Sequence, residues 1–529
     1  MFKNEVAEFI YKRTYSRWLE EEGRREDWPE TIERLVGFLI SKRPDIPEKT
    51  INKIRKYMTE FAVMPSMRFL WAAGPAAEFD NTCIYNCAFG KINTVEAFAE
   101  CLYILMCGTG YGFSVEQEEV EKLPEVPEIK SGQGLPKVVI KDSKAGWADS
   151  VKTLMGSLYD GQNLYFDYSA IRPEGARLMT MGGRASGPAP LIKLHDFIRE
   201  TMHNAQGRKL TTLEAHDICN QIAEIVVVGG VRRSSQISLS DLDDKDMRHA
   251  KEWPFPIKRA MANNSAIFRE KPSAAQFLKE WASLALSGTG ERGIFNLSAA
   301  QSRAPSRRYA PLIQGTNPCG EIMLRDMEFC NLSEVVVRAE DVLDSLLDKV
   351  ETATWLGVIQ ATFTDFPYLR KDWKKNCDVE RLLGVSLTGQ MDNPSILTSE
   401  CLKALKSRVL RISRKAAKIL GINVPVATTC VKPSGTVSQL VDSASGVHPR
   451  YSNYYIRRYR IAARDPLFIM MKEAGIPCHP ENGQDAETAS TWVLEFPVKS
   501  PDGCITRKDV SALDQLSHYK NLQHNWCEH

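Results

Sequence analysis

Short apolar runs alternate with longer amphipathic segments over most of this chain, and this alternation limits the fold more than any other feature of the sequence. The runs that read as strands lie at 265–268, 322–324, 335–337 and 424–427. The helical patterns between them lie at 274–286, 339–350 and 402–420. Strands that alternate with helices are typical of α/β proteins, so the sequence predicts an α/β fold.

The first part of the chain has a helical pattern throughout and lacks the alternation of strands and helices. From Asn4 to Phe61 the pattern is helical and rich in charge, with breaks at Pro29, Pro44 and Pro47. It predicts an N-terminal helical cap over 1–62, followed by one α/β domain over 63–529.

Charge and cysteine content exclude several classes of protein. The chain has 529 residues, with 68 Lys and Arg against 66 Asp and Glu. It therefore lacks the excess of positive charge that would indicate a nucleic-acid partner. No stretch approaches the roughly 18 apolar residues that a membrane helix needs, and the first residues lack a signal peptide. Thirteen cysteines in a long chain indicate reduced thiols, hence a cytoplasmic protein in which a few cysteines do chemistry.

Two motifs that often bind cofactors or metals do not fit. Residues 288–293 match the glycine pattern of dinucleotide-binding folds, but they follow a helical run where the motif needs a strand. Cys83 and Cys87 lie close together, yet no second cysteine pair or histidine pair completes a zinc site. We therefore expect no dinucleotide fingerprint and no metal site built from side chains.

The pentapeptide from Asn317 to Glu321 carries the strongest chemical signal. Pro318 and Gly320 place Cys319 on a tight loop, and on an extended backbone Asn317, Cys319 and Glu321 project to one face. A carboxylate beside a thiol raises the thiol pKa and preserves the S–H bond, which suits hydrogen-atom transfer and does not suit a thiol protease. A buried structural cysteine in a turn is the alternative that this pentapeptide leaves open.

A second loop, from Lys432 to Thr436, follows an apolar run and opens a helical pattern. Its N–H groups and hydroxyls predict a phosphate-binding turn, although a capping turn without a ligand has the same pattern. The loop at 108–112 has glycines that permit a close approach of the backbone to another group.

Taken in order, a set of segments resembles the adenosylcobalamin-dependent, class II ribonucleotide reductases, most closely their monomeric ribonucleoside-triphosphate reductase branch. The segments follow the order of that family from about residue 60 to the end of the chain. They are 65–68, 85–89, 108–113, 229–234, 263–265, 317–321, 329–332, 384–389, 432–436 and 456–458.

The resemblance implies a ten-stranded α/β barrel with a central finger loop that carries Cys319 at its tip. With adenosylcobalamin as the radical source, a thiyl at Cys319 would remove the 3′ hydrogen of a ribonucleotide. Glu321 would accept the 3′-OH proton, and Asn317 would hold the sugar hydroxyls. Cys87 and Cys330 match the two reducing thiols, which become a disulfide.

The resemblance also implies two nucleotide sites. Substrate contacts map to Ser66, Asn86, Gly108, Pro433, Ser434, Gly435 and Thr436. A loop that reports a deoxynucleotide effector maps to Gly229, Gly230, Val231, Arg232 and Arg233. A helical insertion around 118–262 would let one chain bind the effector without a second subunit, so we expect a monomer.

Departures from the family pattern leave alternatives open. The sequence ends at His529, where family members continue into a further strand and a cysteine-bearing tail, so we expect a barrel truncated at its C-terminal end. A complementary C-terminal fragment could complete it, with a thioredoxin-like protein or a small dithiol as reductant. A non-catalytic fragment that binds nucleotide is the alternative function.

Other classes of ribonucleotide reductase fit the sequence less well. Class I reductases share the barrel, but the sequence Asn-Pro-Cys-Gly-Glu at 317–321 favours class II. Glycyl-radical reductases lack the glutamate of this loop. The sequence also lacks Asp-x-His-x-x-Gly, the motif that offers a histidine to cobalt in other cobalamin proteins.

Overall fold

The computed structural model describes residues 2–130, 136–178, 184–228, 235–482, 484–489 and 491–529. The α-helices of this described part are α1 Glu5–Thr14, α2 Trp28–Lys42, α3 Glu48–Thr59, α4 Met67–Ala72, α5 Pro75–Phe79, α6 Val95–Met106, α7 Gln117–Val120, α8 Lys144–Tyr159, α9 Ala189–Asn204, α10 Thr212–Val228, α11 Lys245–His249, α12 Ala274–Leu286, α13 Leu297–Ser302, α14 Leu343–Gln360, α15 Lys371–Glu380, α16 Ser399–Ile419, α17 Val437–Leu440, α18 Pro466–Glu473 and α19 Ala512–Asn525.

The strands of the same residues are β1 Trp18–Leu19, β2 Arg24–Arg25, β3 Val63–Pro65, β4 Cys87–Lys91, β5 Gly110–Ser114, β6 Lys137–Val139, β7 Tyr165–Asp167, β8 Gln236–Asp241, β9 Ala262–Phe268, β10 Gly293–Asn296, β11 Gly315–Thr316, β12 Met323–Leu324, β13 Glu328–Phe329, β14 Leu332–Val336, β15 Gly384–Thr388, β16 Thr429–Cys430, β17 Tyr454–Ala462, β18 Cys478–Pro480 and β19 Thr491–Lys499.

Two sheets of mostly parallel strands form the centre of the structure. The larger has the order β10-β9-β8-β5-β4-β13, in which β13 runs antiparallel to β4. The smaller has the order β16-β15-β14-β3, in which β3 runs antiparallel to β14. Strands β5, β14 and β15 are buried at every position, as expected where other elements cover both faces of a parallel sheet. The α/β class predicted from the sequence is confirmed.

The ten-stranded barrel is not present as one hydrogen-bonded ring. Within the described ranges the two sheets have six and four strands, and no ladder joins one sheet to the other. The fold therefore agrees with the prediction at the level of its class, and the closed barrel stays a proposal.

Two runs predicted as strands do not join the main sheets. The run at 322–324 contributes β12, which pairs with β11 in a separate hairpin. The run at 424–427 forms no strand, and the chain begins to pair only at β16. Ile322, Leu324 and Ala427 are fully buried in one apolar cluster, so the hydrophobicity of these runs reflects burial and not strand pairing.

The helical patterns are found close to their predicted positions. The pattern at 274–286 is helix α12, and the pattern at 402–420 is α16, shifted by a few residues. The pattern at 339–350 is the first part of α14, which starts later and continues to Gln360. Twelve residues of α14 are buried, so its C-terminal half lacks the polar face that marks a helix in a sequence.

Helices α1 and α2 pack onto the rest of the chain through aromatic contacts. The centroid of the Phe9 ring in α1 lies 4.9 Å from that of Phe496 in β19, and the centroid of the Phe38 ring in α2 lies 5.1 Å from that of Phe363. One apolar core includes residues of these helices and of the helices around the sheets. The domain boundary at 62 and the insertion at 118–262 stay predictions. None of the helices in the described ranges is long and apolar enough to cross a membrane.

The C-terminal part adds an antiparallel sheet, β17-β19-β18, and helix α19. The residues after α19 turn back to the smaller main sheet. There the Trp526 indole is fully buried and donates to the Cys430 carbonyl at 2.8 Å. The Glu528 N–H donates to the Thr429 carbonyl at 2.9 Å. These contacts hold the last residues against β16.

The β11–β12 hairpin lies directly on strands β4 and β5. A Cβ atom at Gly112 of β5 would be 2.2 Å from the Thr316 carbonyl oxygen. A Cβ atom at Gly315 of β11 would be 2.2 Å from the Phe89 ring of β4. Both distances are below any real van der Waals contact, so the hairpin can sit here only because these two positions lack side chains.

Replacing Gly112 with alanine should therefore push the hairpin away from the sheet. We expect G112A to lose about 1–3 kcal/mol of stability, the usual range for overpacking, and to unfold at a lower temperature in a thermal melt. The control is G156A, because a Cβ atom at Gly156 in helix α8 meets nothing within 4 Å. It should melt at the wild-type temperature or above, since alanine favours a helix. Equal melting temperatures for G112A and wild type would show that the hairpin tolerates displacement.

Candidate active site

The tip of the β11–β12 hairpin carries the pentapeptide singled out in the sequence. Strands β11 and β12 pair in antiparallel register, and residues 317–322 connect them. The Gly320 N–H donates to the Asn317 carbonyl at 2.9 Å and closes the turn. Cys319 and Gly320 are exposed at its end, whereas Asn317 is fully buried at its base. Cys319 therefore lies at the tip of a loop, and it is not a buried structural cysteine.

Asn317 links the two ends of the turn. Its Nδ2 donates to Glu321 Oε2 at 2.7 Å, and its Oδ1 accepts from the Ile322 N–H at 3.0 Å. The amide is thus fixed by the backbone, and it fixes one oxygen of the Glu321 carboxylate. The other oxygen, Oε1, is buried and has no hydrogen-bond partner in the described part of the chain. Glu321 therefore offers one free acceptor.

Three thiols from distant parts of the sequence meet beside this turn. The Cys330 N–H donates to the Cys87 carbonyl at 2.9 Å, and the Cys87 N–H lies 3.1 Å from Cys330 Sγ. The Phe329–Ala88 pairing of β13 with β4 continues to these two cysteines. Directly opposed antiparallel residues have Cα atoms about 4.5–5.5 Å apart, which a disulfide can span. The Cys87 thiol also hydrogen-bonds with the Cys319 thiol, and all three cysteines are unpaired in this structure.

The environment raises the pKa of two of these thiols, Cys319 and Cys87. The hydrogen bond with Cys87, then burial, then the charge of Glu321 raise the pKa of Cys319 far above its usual range. At Cys87 the hydrogen bond with Cys319 acts to lower the pKa, but the hydrogen bond with Cys330 and burial outweigh it. The net pKa of Cys87 lies well above its usual value. Cys319 and Cys87 thus retain their S–H bonds at neutral pH, as the sequence analysis predicted for the loop.

Glu321 is subject to opposing influences. Burial raises the pKa of its carboxyl group above the ordinary value, and the charge of Glu334 adds to this rise. The hydrogen bond from Asn317 and the charge of Lys432 act in the opposite direction. The net pKa is raised, so a proton is held more readily here than on an exposed glutamate.

The loop from Lys432 to Thr436 follows β16 and leads into the short helix α17, close to its predicted setting. Lys432 Nζ donates to Glu334 Oε1 at 2.9 Å, and the Ser434 hydroxyl hydrogen-bonds with the other oxygen of Glu334. Pro433 and Gly435 are exposed, whereas Ser434 is buried. The Ser434 hydroxyl is therefore engaged within the protein, and the exposed backbone of this turn is what faces outward.

The other substrate residues expected from the resemblance are Ser66, Asn86 and Gly108. Ser66 is buried, caps helix α4 and accepts from the Phe69 N–H at 3.1 Å. Asn86 directly precedes Cys87 and accepts from the Arg68 N–H at 3.1 Å. Gly108 lies between α6 and β5 beside the Arg68 guanidinium. Asn86 is therefore adjacent to a thiol of the site, and its carbonyl oxygen accepts from the Gly110 N–H of β5 at 2.8 Å.

The residues expected to read an effector are not among those that the structure describes. Gly229, Gly230, Val231, Arg232 and Arg233 lie outside the described residues, between the end of α10 and the start of β8. Among the described residues no group of three or more His, Cys, Asp or Glu side chains could hold a metal ion. The glycine pattern at 288–293 connects α12 with β10.

Glu334 is the site residue that the sequence reasoning missed. It is fully buried in β14, and each of its carboxylate oxygens has a partner from the 432–436 loop. A signal was present, because it is the only charged residue in the buried strand Leu332–Val336. A lone acid in such a strand needs a partner when it is ionised.

Comparisons with known proteins identify relatives. A family model described as ribonucleotide reductase alpha domain matches residues 1–75, and one described as B12-dependent ribonucleotide reductase, insertion domain, matches residues 131–202. Adenosylcobalamin-dependent ribonucleoside-triphosphate reductases of Lactobacillus delbrueckii subsp. bulgaricus and Lactobacillus leichmannii are 29% and 28% identical to this chain. Both alignments cover 98% of this chain and 83% of the relative.

Solved structures agree with these relatives. A crystal structure of a B12-dependent, class II ribonucleotide reductase matches with a TM-score of 0.83 and 26% identity, over 98% of this chain and 85% of that one. The class Id alpha subunit of Actinobacillus ureae matches with a TM-score of 0.54 and 15% identity, over 89% of this chain and 79% of that one, which shows a shared fold alone. These findings confirm the resemblance predicted from the motifs: along nearly its whole length, this chain is similar to the adenosylcobalamin-dependent, class II ribonucleotide reductases.

Proposed function

We propose that this protein reduces ribonucleoside triphosphates to 2′-deoxyribonucleotides by thiyl-radical chemistry. One observation carries the proposal: the exposed Cys319, whose thiol has a raised pKa and interacts with Cys87 of the Cys87–Cys330 pair, lies two residues from Glu321 and its unpartnered carboxylate oxygen. This arrangement provides a hydrogen-atom carrier, a two-electron reductant and a proton acceptor at one place. The names of the relatives, which are ribonucleoside-triphosphate reductases, support the choice of substrate.

Adenosylcobalamin, when bound, supplies the radical that takes the hydrogen atom from a thiol. The residues present fit such a cofactor, because the thiol at the tip is open to solvent and keeps its hydrogen. A Cβ atom built on the adjacent Gly320 meets nothing within 4 Å, so there is space beside the thiol. Cys319 and Gly320 are the residues that would face the cofactor.

The first half of the reaction uses the turn itself. A thiyl at Cys319 removes the hydrogen from C3′ and becomes a thiol again. Glu321 accepts the 3′-OH proton through Oε1, the oxygen without a partner, while the Asn317 amide holds the other oxygen in place. The second N–H of that amide is available to the sugar hydroxyls.

The second half uses the paired thiols. The C2′–O bond breaks and the 2′-OH leaves as water with one added proton, while a hydrogen takes its place at C2′. Cys87 and Cys330 together supply the two electrons and two protons for these changes as they form a disulfide, and Glu321 returns its proton to the 3′ oxygen. Cys319 then returns a hydrogen atom to C3′, and its radical is regenerated. The balance is one ribonucleotide and two thiols converted to one deoxyribonucleotide, one disulfide and one water. A thioredoxin-like protein or a small dithiol would restore the thiols.

The remaining assignments belong to the same proposal. The exposed backbone at 433–436 would bind the substrate phosphates, with Ser66, Asn86 and Gly108 behind the sugar. A deoxynucleotide effector would be read by residues 229–233, in a single chain or one with a complementary fragment. The barrel is supported by the six and four strands of the two main sheets, which together make ten. All five residues that the reaction needs are present, which favours an enzyme over a non-catalytic fragment. They are Cys87, Asn317, Cys319, Glu321 and Cys330.

The protein should convert CTP to the deoxy product when adenosylcobalamin and a dithiol are supplied. C319S should lower turnover on the order of a thousandfold or more, the scale seen when a covalently acting group is removed. The same variant should bind CTP as tightly as wild type in calorimetry, because the substitution removes only the reacting sulfur. A parallel assay with CDP tests the phosphorylation state. Product without added cobalamin, or undiminished turnover in C319S, would refute the function.

A single turnover without external dithiol should leave a disulfide between Cys87 and Cys330. We expect about one deoxynucleotide per active chain and one new disulfide-linked peptide pair, measured by mass spectrometry without reduction. C319S under the same conditions should retain free thiols at both positions, because no chemistry occurs. A disulfide from Cys87 to Cys319 after turnover would contradict the assigned roles.

A further inference from the structure

The turn that follows β16 contains a residue in a conformation that amino acids other than glycine seldom adopt. Ser434 has a φ of 53°, in the left-handed region, and its side chain is buried. A Cβ atom makes this region sterically unfavourable. A serine therefore keeps such a conformation only where its surroundings hold it.

A carboxylate of the smaller main sheet holds the side chain of this residue. The Ser434 hydroxyl donates to one oxygen of the fully buried Glu334 in β14, and Lys432 Nζ donates to the other oxygen at 2.9 Å. The Lys432 N–H donates to the Ser386 hydroxyl of β15 at 2.8 Å. Two neighbouring strands thus fix the beginning of the turn.

The loop after α17 holds the backbone of the same turn. The Ser445 hydroxyl donates to the Pro433 carbonyl at 2.8 Å and lies 3.1 Å from the Ser434 carbonyl oxygen. These contacts fix two carbonyl groups, whereas Glu334 holds a side chain. The turn is therefore anchored on both sides, and each anchor holds different atoms.

The outward side of the turn is open. Pro433 and Gly435 are exposed, and a Cβ atom built on Gly435 meets nothing within 4 Å. Successive N–H groups of a turn with a left-handed residue can point together into such a space and bind an anion. Rotation of Ser434 to the right-handed region would turn the following peptide to another direction. The left-handed conformation is thus a condition for binding an anion at this turn.

We propose that Glu334 is a positioning residue for substrate binding. It holds Ser434 in the left-handed conformation through the hydroxyl, and so keeps the backbone N–H groups of the turn aligned for the substrate phosphates. The inference rests on the proposed function, in which residues 433–436 bind those phosphates. It gives the Ser434 hydroxyl a conformational role in place of a direct contact with a phosphate.

A buried carboxylate suits this role better than it suits stability. The desolvation of a buried ion pair commonly offsets the attraction of its charges, and apolar replacements are often neutral or stabilising. The rest of β14 is apolar or small and fully buried, so an apolar residue at 334 would suit the strand. A hydrogen bond to a charged acceptor is about twice as strong as one to a neutral acceptor, so Glu334 holds the hydroxyl firmly.

Two substitutions at Ser434 distinguish a conformational role from a direct contact. Both remove the hydroxyl, but glycine enters the left-handed region about as readily as the right-handed one, and alanine does not. S434A should weaken CTP binding about tenfold, the effect of losing one hydrogen bond to a charged group. S434G should weaken it only about twofold, because about half of the chains keep the competent turn. Calorimetry of the chain without cofactor measures both constants. Equal losses in the two variants, or no loss in S434A, would overturn the inference.

E334Q tests the other partner of the contact. Its one amide oxygen replaces two carboxylate oxygens that accept from Lys432 and Ser434, so the hold on the hydroxyl weakens. E334Q should lower CTP affinity in the wild-type chain and have no further effect in S434G, where the hydroxyl is absent. A change of the same size in both backgrounds would mean that Glu334 acts through its charge, against the inference. If E334Q does not fold, the comparison of S434A with S434G decides.

A matched control comes from the residue next to Glu334. Ser333 is also buried in β14, and its hydroxyl donates to the Ala353 carbonyl of α14 at 2.9 Å. S333A loses a buried serine hydrogen bond away from the turn, so it should melt at a lower temperature and bind CTP as wild type does. In turnover, S434A should raise KM for CTP and leave kcat near the wild-type value, because the reacting groups are unchanged. A loss of kcat at unchanged KM would indicate a merely structural role.

The wild-type chain separates this inference from the proposed function. If it binds CTP but yields no deoxynucleotide with adenosylcobalamin and a dithiol, the function is overturned and the binding comparison still tests Glu334. If it binds CTP and yields product while S434A and S434G bind alike, only the inference is overturned. If it binds no CTP, both are overturned.

Discussion

The close contact between the β11–β12 hairpin and the larger sheet is the constraint on which the rest of the site depends. The hairpin backbone approaches β5 at Gly112 and the Phe89 ring of β4 at Gly315, at distances that no side chain would permit. This contact brings the turn with Cys319 to Cys87 at the start of β4. The pairing of β13 with β4 then adds Cys330, so backbone geometry alone assembles three thiols.

Burial determines the chemistry of this assembly, and it acts in two ways. It helps to keep Cys87 and Cys319 protonated, which preserves the hydrogen atom that radical transfer needs. It also favours the protonated form of Glu321, which hinders a base. The charge of Lys432, which follows β16 and pairs with Glu334 in β14, acts in the opposite direction on the pKa of Glu321. The two sheets thus contribute different parts of one site: the larger supplies thiols and the smaller supplies charge.

How far the sequence predicts this structure depends on how local each feature is. The turn at 317–321 could be predicted because Pro318 and Gly320 determine its shape within five residues. Helix α12 could be predicted because its periodicity lies within one segment. The run at 322–324 forms the short strand β12, as predicted, whereas the run at 424–427 was wrongly predicted as a strand, since burial in a loop and burial in a sheet give the same apolar pattern. The partner of Glu334 lies 98 residues away at Lys432, and no local pattern reveals such a pair.

The high pKa of Cys319 has a consequence for the durability of the protein. Electrophiles and peroxides attack the thiolate form of a cysteine, and a thiol that stays protonated reacts with them slowly. Cys319 is exposed at the tip of the hairpin, where an oxidant can reach the residue. The raised pKa lowers the thiolate fraction of Cys319, so Cys87 and Glu321, which help to raise it, should also slow the oxidation of this cysteine.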